Sequence, residues 1–174
     1  MKQLGTIREE DIFSRNEVIE IAYEDRRAVK AIIVDADGNI AMVGKTKSGY
    51  RLLPGGGVES GESDAAAITR ECLEEIGCLV VVEQAIGEVE DYRARDARHQ
   101  TTACYLGRVV GAKGVPRSQQ TDELDLEVSW VHPSEVLRLL KEQAVSLPEK
   151  FYNGHFNTRM QALFLEEALR SGFL

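Results

Sequence analysis

Six carboxylates fall between positions 59 and 75: Glu59, Glu62, Asp64, Glu71, Glu74 and Glu75. Their spacing matters more than their number, because a helix brings residues three or four apart onto one side. Glu71 and Glu75 form such a pair, Glu74 lies at the edge of the same face, and Arg70 reaches Glu74 as an i,i+4 partner. Like charges at this spacing destabilise an isolated helix, so a cation is expected to compensate. Oxygen-only donors suit a hard divalent ion, Mg²⁺ or Mn²⁺. Just upstream, the glycine loop Pro54-Gly55-Gly56-Gly57 lets the backbone approach closely and can offer a carbonyl to the same ion. The competing reading is a solvated acidic helix face beside an ordinary loop.

The elements that must position these residues are legible around them. Ser63 reads as an N-cap, Ala65 to Ala67 favour helix, and Gly77 marks the stop, which predicts a helix from Ser63 to Ile76. Ala65, Ile68, Cys72 and Ile76 give that helix one apolar stripe. Val29 to Val34 and Ile40 to Val43, separated by Asp37-Gly38-Asn39, predict a hairpin before the loop. Further strands are expected over Leu79 to Val82, Ala85 to Tyr92, Thr101 to Val110 and Val128 to Val131, with irregular connections at 111–116 and 118–121. Amphipathic helices are expected over Pro133 to Gln143 and Asn157 to Arg170. Residues 1–27 read as an N-terminal arm with a short strand over Val18 to Tyr23, packed on a domain of residues 28–174 or on a partner subunit. Strands and helices mixed in this way make one α/β domain.

Composition bounds the function. The chain has 174 residues, 21 Lys+Arg against 29 Asp+Glu and a net charge of −8, which disfavours duplex nucleic acid as a partner. Cys72, Cys78 and Cys104 are an odd count without a C-x-x-C pair, so neither a disulfide framework nor a structural zinc is expected. The first residues lack an apolar h-region, and no apolar run approaches the roughly 20 residues that span a bilayer. The expectation is a cytoplasmic protein with no membrane partner.

Gly56, Glu62 and the run Arg70-Glu71-Cys72-Leu73-Glu74-Glu75-Ile76-Gly77-Cys78 resemble the Nudix box, G-x5-E-x7-R-E-U-x-E-E-x-G-U, where U is bulky and apolar. Every charged and glycine position matches. Cysteine stands at both apolar positions, 72 and 78, where a buried thiol acts as a small hydrophobe. A chance match in this composition is on the order of a few in a million. The box covers only Gly56 to Cys78, but the order of strands and helices around it also resembles the Nudix fold, an α/β/α sandwich around a mixed sheet.

The resemblance implies a metal-dependent pyrophosphohydrolase that cleaves a nucleoside diphosphate linked to another moiety, NDP-X, by water attack at phosphorus. It implies Glu71 and Glu75 as principal ligands of Mg²⁺ or Mn²⁺, Glu74 as a third ligand or water-orienting group, and the Gly56 carbonyl as a backbone ligand. Arg70 and Glu62 then hold loop and helix together. A further glutamate outside the box serves many members of the family, and Glu123 and Glu127 are the candidates.

Arg93 and Arg95, in a segment with three arginines, are candidates to grip substrate phosphates, and Tyr50 to stack on a nucleobase. Each has a bland alternative, solvated strand end or packing residue; His99 alone is no ligand signal. The cluster Phe151, Tyr152 and Phe156 with Met160, Leu163, Phe164 and Leu169 reads as core or as a subunit contact, which leaves a homodimer open.

The partner expected is a small nucleotide. ADP-ribose hydrolases of the family tend to carry a proline downstream of the box, and dinucleoside polyphosphate hydrolases a tyrosine slightly later. Positions 93 and 94 are Arg and Ala and Tyr92 comes early, so neither mark is met, and the coenzyme A signature is also missing. Two other classes stay open: a nucleotide-sensing module without turnover, and a structural acidic domain with a protein partner.

Overall fold

Along the strand Glu24–Val34 (β2), Val29, Ala31 and Ile33 face one side of the sheet and Ile32 and Val34 the other, the period of two that buries a strand on both faces. This computed structural model describes residues 1–14, 20–45, 50–117 and 126–174. The expectations at residues 18–19, 46–49 and 118–121 and at Glu123 lie outside them.

Two cores follow from that alternation. On one face the helix Asp64–Glu75 (α1) buries Ala67, Ile68 and Cys72, joined by Ile76, against Val29, Ala31 and Ile33. On the other, the helices Pro133–Ser146 (α2) and Tyr152–Arg170 (α3) bury Leu140, Phe156, Phe164 and Leu165 against Ile32 and Val34. The result is the expected α/β/α sandwich. The remaining strands are Gln3–Arg8 (β1), Ile40–Lys45 (β3), Arg51–Leu52 (β4), Leu79–Arg93 (β5), Arg98–Val110 (β6) and Leu126–Val131 (β7). Their order is β1-β5-β6-β2-β3-β4, with β7 on β3. The sheet is mixed: β1 runs parallel to β5 and β2 parallel to β6, while the other pairs are antiparallel.

Some boundaries differ from expectation for physical reasons. The two strands expected on either side of Glu83 are one, because the break in pattern is absorbed by register shifts at Val82/Gln84 and Ala85/Gly87. Residues 1–27, expected as an arm, supply β1 and the start of β2, and Ile7 is buried. Residues 20–23 form no strand; β2 starts at Glu24. Helix α3 starts at Tyr152 rather than Asn157, since Tyr152 and Phe156 both pack inward on its first turns. The aromatic cluster is thus core, and a partner subunit is not needed to bury it. All three cysteines are free and buried. Among the described residues no helix is long and apolar enough to cross a membrane.

The feature that builds the site is the free edge of β2. Its pairing with β3 is limited to Val34 with Ile40, so the glycine loop takes the vacant length. The Val29 N–H donates to the Gly56 carbonyl at 2.9 Å, Ala31 N–H to Pro54 at 3.0 Å, and Val58 N–H to Arg27 at 3.1 Å.

Candidate functional site

The loop can lie this close to β2 because of its glycines. At Gly55 φ is +127°, and a Cβ there would fall 2.3 Å from the Val29 carbonyl oxygen. At Gly56 a Cβ would fall 2.4 Å from Glu71 Oε1, so the box glycine and the first box carboxylate are packed surface to surface.

Helix α1 presents its carboxylates to this loop. Ser63 caps it as expected, accepting the Ala66 N–H at 3.2 Å. From its last turn, Glu75 Oε2 accepts the Gly55 N–H at 2.7 Å. Arg70 binds the rest. Its guanidinium donates to Glu62 at 3.0 and 3.1 Å, to Glu71 at 2.8 Å, to Glu74 at 3.4 Å and to the Gly57 carbonyl at 3.0 Å. The bonds from Arg70 hold the Glu62 carboxyl below its ordinary pKa. Glu71 moves the other way: burial raises its pKa, and Arg70 only partly offsets this. Asp64 stands apart, bound to Arg27 at 2.8 Å and to the Tyr105 hydroxyl at 2.7 Å.

The sequence led us to expect Glu71, Glu74 and Glu75 to converge on one point, and here they do not. Among the described residues no three His, Cys, Asp or Glu side chains are gathered as a metal cage. Glu75 is turned to Gly55, and Glu71 and Glu74 lean on Arg70. The chemistry of the set nonetheless fits a hard cation: every donor is an oxygen, and the desolvated Glu71 lacks full compensation. The Gly56 carbonyl has one lone pair engaged by Val29 and a second one besides.

On the other side of the loop lies a cavity of about 250 Å³, lined by Gly55 and Gly56, by Arg26, Lys30, Arg93 and Arg98, and by the polar side chains of Gln100, Thr102, Asn153 and Asn157, with Ala28 and Met160. Strand alternation and register assemble it. Arg26, Ala28 and Lys30 share one face of β2, and the parallel register sets Arg26 opposite Gln100 and Ala28 opposite Thr102. Arg26 and Lys30 were missed in the sequence, whereas Arg98 is the third arginine of the segment marked there for a phosphate grip. The available signal was the alternation of cations along β2 just before the glycine loop.

The other candidates separate. Arg93 lines the cavity but is fully buried and largely spent: it pairs with Asp91 at 2.5 and 3.1 Å and donates to Asn153 at 2.8 Å and Asn157 at 3.1 Å. Arg95 is elsewhere, its guanidinium 4.9 Å from the Phe13 ring centre and 4.7 Å from that of Tyr152. Tyr50 packs edge-on to Phe151, 5.7 Å between ring centres, and is not in the cavity wall. Glu127 is exposed on β7, opposite Gly44. His99 stacks on Tyr92 at 4.4 Å and meets Asp25 at 2.7 Å.

A family model described as the NUDIX domain matches residues 24–153. A MutT-like protein of Streptomyces ambofaciens is 27% identical over 115 residues, 66% of this chain and 69% of the relative. Among solved structures, a NUDIX hydrolase from Nitrosomonas europaea superposes with a TM-score of 0.57 at 21% identity, covering 79% of this chain and 92% of that one. An ADP-ribose pyrophosphatase from Streptococcus suis does so with a TM-score of 0.53 at 21% identity, covering 82% and 91%. The likeness to these structures is one of fold.

Proposed function

Because this chain belongs to the Nudix hydrolase family, we propose that it is a metal-dependent pyrophosphohydrolase of an NDP-X substrate. Water adds to one phosphorus of the diphosphate, the bridging P–O bond breaks, and a nucleoside monophosphate and the phosphorylated X leave. The observation that carries this reading is the two-sided glycine loop: the box carboxylates engage Gly55 and Gly56 from one side, and a cationic cavity opens on the other.

Glu71, Glu74, Glu75 and the Gly56 carbonyl are the groups that would hold Mg²⁺ or Mn²⁺. Such an ion, when bound, neutralises diphosphate charge and acidifies a water for attack. The chain does the rest. Arg70 keeps Glu62, Glu71 and Glu74 in place by four hydrogen bonds, with a fifth to the Gly57 carbonyl, and so acts as a positioning residue. The Gly55 N–H orients Glu75. Arg93 holds Asn153 and Asn157 at the cavity wall, a role in place of the direct phosphate grip first expected of it. Arg95 and Tyr50 have no place in this wall. The family and the small acidic domain are consistent with a nucleotide substrate and a cytoplasmic setting.

The test is a substrate panel of nucleoside triphosphates, oxidised nucleotides, ADP-ribose, nucleotide sugars and dinucleoside polyphosphates with Mg²⁺ or Mn²⁺, and Glu75→Gln as control. Turnover of one class that is lost in the control supports the reading. Tight nucleotide binding without turnover of any of them favours the sensing module.

A further inference from the structure

Arg26 and Arg98 bring two guanidinium groups to one cavity with only distant carboxylates to balance them. Both guanidinium groups line the cavity beside the glycine loop. Among the described residues Arg26 has no hydrogen-bond or ion-pair partner, and Arg98 has one distant carboxylate contact, Asp96 at 3.9 Å. Among the described residues no Asp or Glu lines the cavity, although the chain as a whole carries −8. Burial and the neighbouring Arg98 and Arg93 work against the charge on the part-exposed Arg26, and Glu71 and Asp91 only partly offset them, so its pKa is lowered. Part-exposed cations gathered with only distant counter-charge leave room for something else to supply it.

Three further features say what that something is. No aromatic side chain lines the cavity, so a nucleobase would find no ring to stack on. The amide side chains of Gln100, Asn153 and Asn157 offer hydrogen bonds to hydroxyls or oxyanions. The volume, about 250 Å³, falls just below the roughly 300–1,000 Å³ of pockets that take drug-sized ligands, which suits one compact polar group. Two open guanidinium forks match a phosphoryl dianion better than a single carboxylate.

The position of the cavity decides which phosphoryl. Glu71, Glu74 and Glu75 do not line it; Gly55 and Gly56 stand between. A diphosphate held at the carboxylates leaves the cavity to whatever lies beyond it. We propose that Arg26 and Arg98 recognise a second, terminal phosphoryl group on the moiety X, so that the substrate is a nucleoside diphosphate joined to a phosphate-bearing polar group. The assignment rests on the hydrolase reading for what happens to that substrate, but the recognition itself can be measured without turnover.

Ribose 5-phosphate and ribose are titrated calorimetrically into the metal-free full chain and into R26Q, R98Q and E74Q. The expected result is saturable binding of ribose 5-phosphate, at least 10-fold weaker in R26Q and in R98Q and unchanged in E74Q, with no binding of ribose. Thermal unfolding of R26Q checks its folding; removal of a cation whose surroundings on balance disfavour its charge is expected to leave its midpoint at or above that of the parent. Equal binding of ribose, no binding of ribose 5-phosphate to the parent, or undiminished binding in both arginine variants overturns the proposal. In turnover, R26Q raises KM at least 10-fold for phosphate-bearing X and leaves KM for a neutral nucleotide sugar unchanged. An equal rise for both means that the arginines hold the cleaved diphosphate, which also overturns it. Absence of turnover on every diphosphate overturns the hydrolase reading and leaves the binding result standing.

Discussion

Glu75 Oε2 accepts the backbone N–H of Gly55 at 2.7 Å, joining the last turn of α1 to the loop that lies along β2. That hydrogen bond orients a box side chain through the loop backbone. Glu75→Gln keeps the shape and the hydrogen bond but removes the charge. Turnover is expected to fall by two orders of magnitude or more, on the scale of about 3 kcal/mol or above, with the unfolding midpoint little changed. Steady-state rates and calorimetry on the same preparation check both halves.

Gly56 faces Glu71 without room for a methyl group, since a Cβ would lie 2.4 Å from Oε1. Gly56→Ala is expected to push the loop off β2 or Glu71 out of its place, at a cost of about 1–3 kcal/mol. Activity should fall with stability. A crystal structure of the variant would show which of the two moved, and unchanged stability and rate would refute the packing described.

Arg70 serves three carboxylates and one carbonyl at once, and its side chain is only 25% exposed. Arg70→Lys keeps a charge but cannot reach all four partners. A loss of roughly 1–3 kcal/mol is expected in denaturant unfolding, because the partners are part-buried and left unsatisfied.

Acid stability should carry two opposite signatures. The folded pKa of Glu62 is depressed below its ordinary value of 4.5, so its contribution is present above that value and is lost as pH falls through the folded pKa. The folded pKa of Glu71 is raised, so its contribution is present below 4.5 and is lost as pH rises through the folded pKa. Glu62→Gln is therefore expected to flatten the acid limb of the stability curve, and Glu71→Gln to steepen it. Urea unfolding from pH 3 to 7 reads both.

The N-terminal residues are expected to be integral to stability. β1 covers part of the β5 edge, Ile7 is buried, Phe13 stacks on Tyr152 at 5.5 Å, and the Tyr152 hydroxyl donates to Glu9. Removal of residues 1–14 should cost about 3 kcal/mol or more, lowering the midpoint by roughly 6–12 °C. An unchanged midpoint would return these residues to the role of a loose arm.

The acidic half of the site could be read from the chain because its information is local. Helical period sets Glu71 and Glu75 on one face, Ser63 and Gly77 bound the helix, and three glycines announce a close backbone approach; α1 and the loop behave accordingly. The convergence of the carboxylates was not local, since rotamers answer to Arg70 and to the Gly55 N–H. The cationic half was visible only in part for the same reason: the three-arginine segment stood out, and its partners on β2 did not. Arg26 and Arg98 are 72 positions apart, and what brings them to one cavity is the parallel register of β2 on β6 together with the placement of α3. Arg93 and Arg95, two residues apart, show the limit most sharply: a short helical turn over Ala94–Asp96 sends one into the cavity wall and the other onto Phe13 and Tyr152. Spacing along a chain specifies local geometry, whereas long-range pairing, set by burial summed over the whole sheet, decides which distant charges meet.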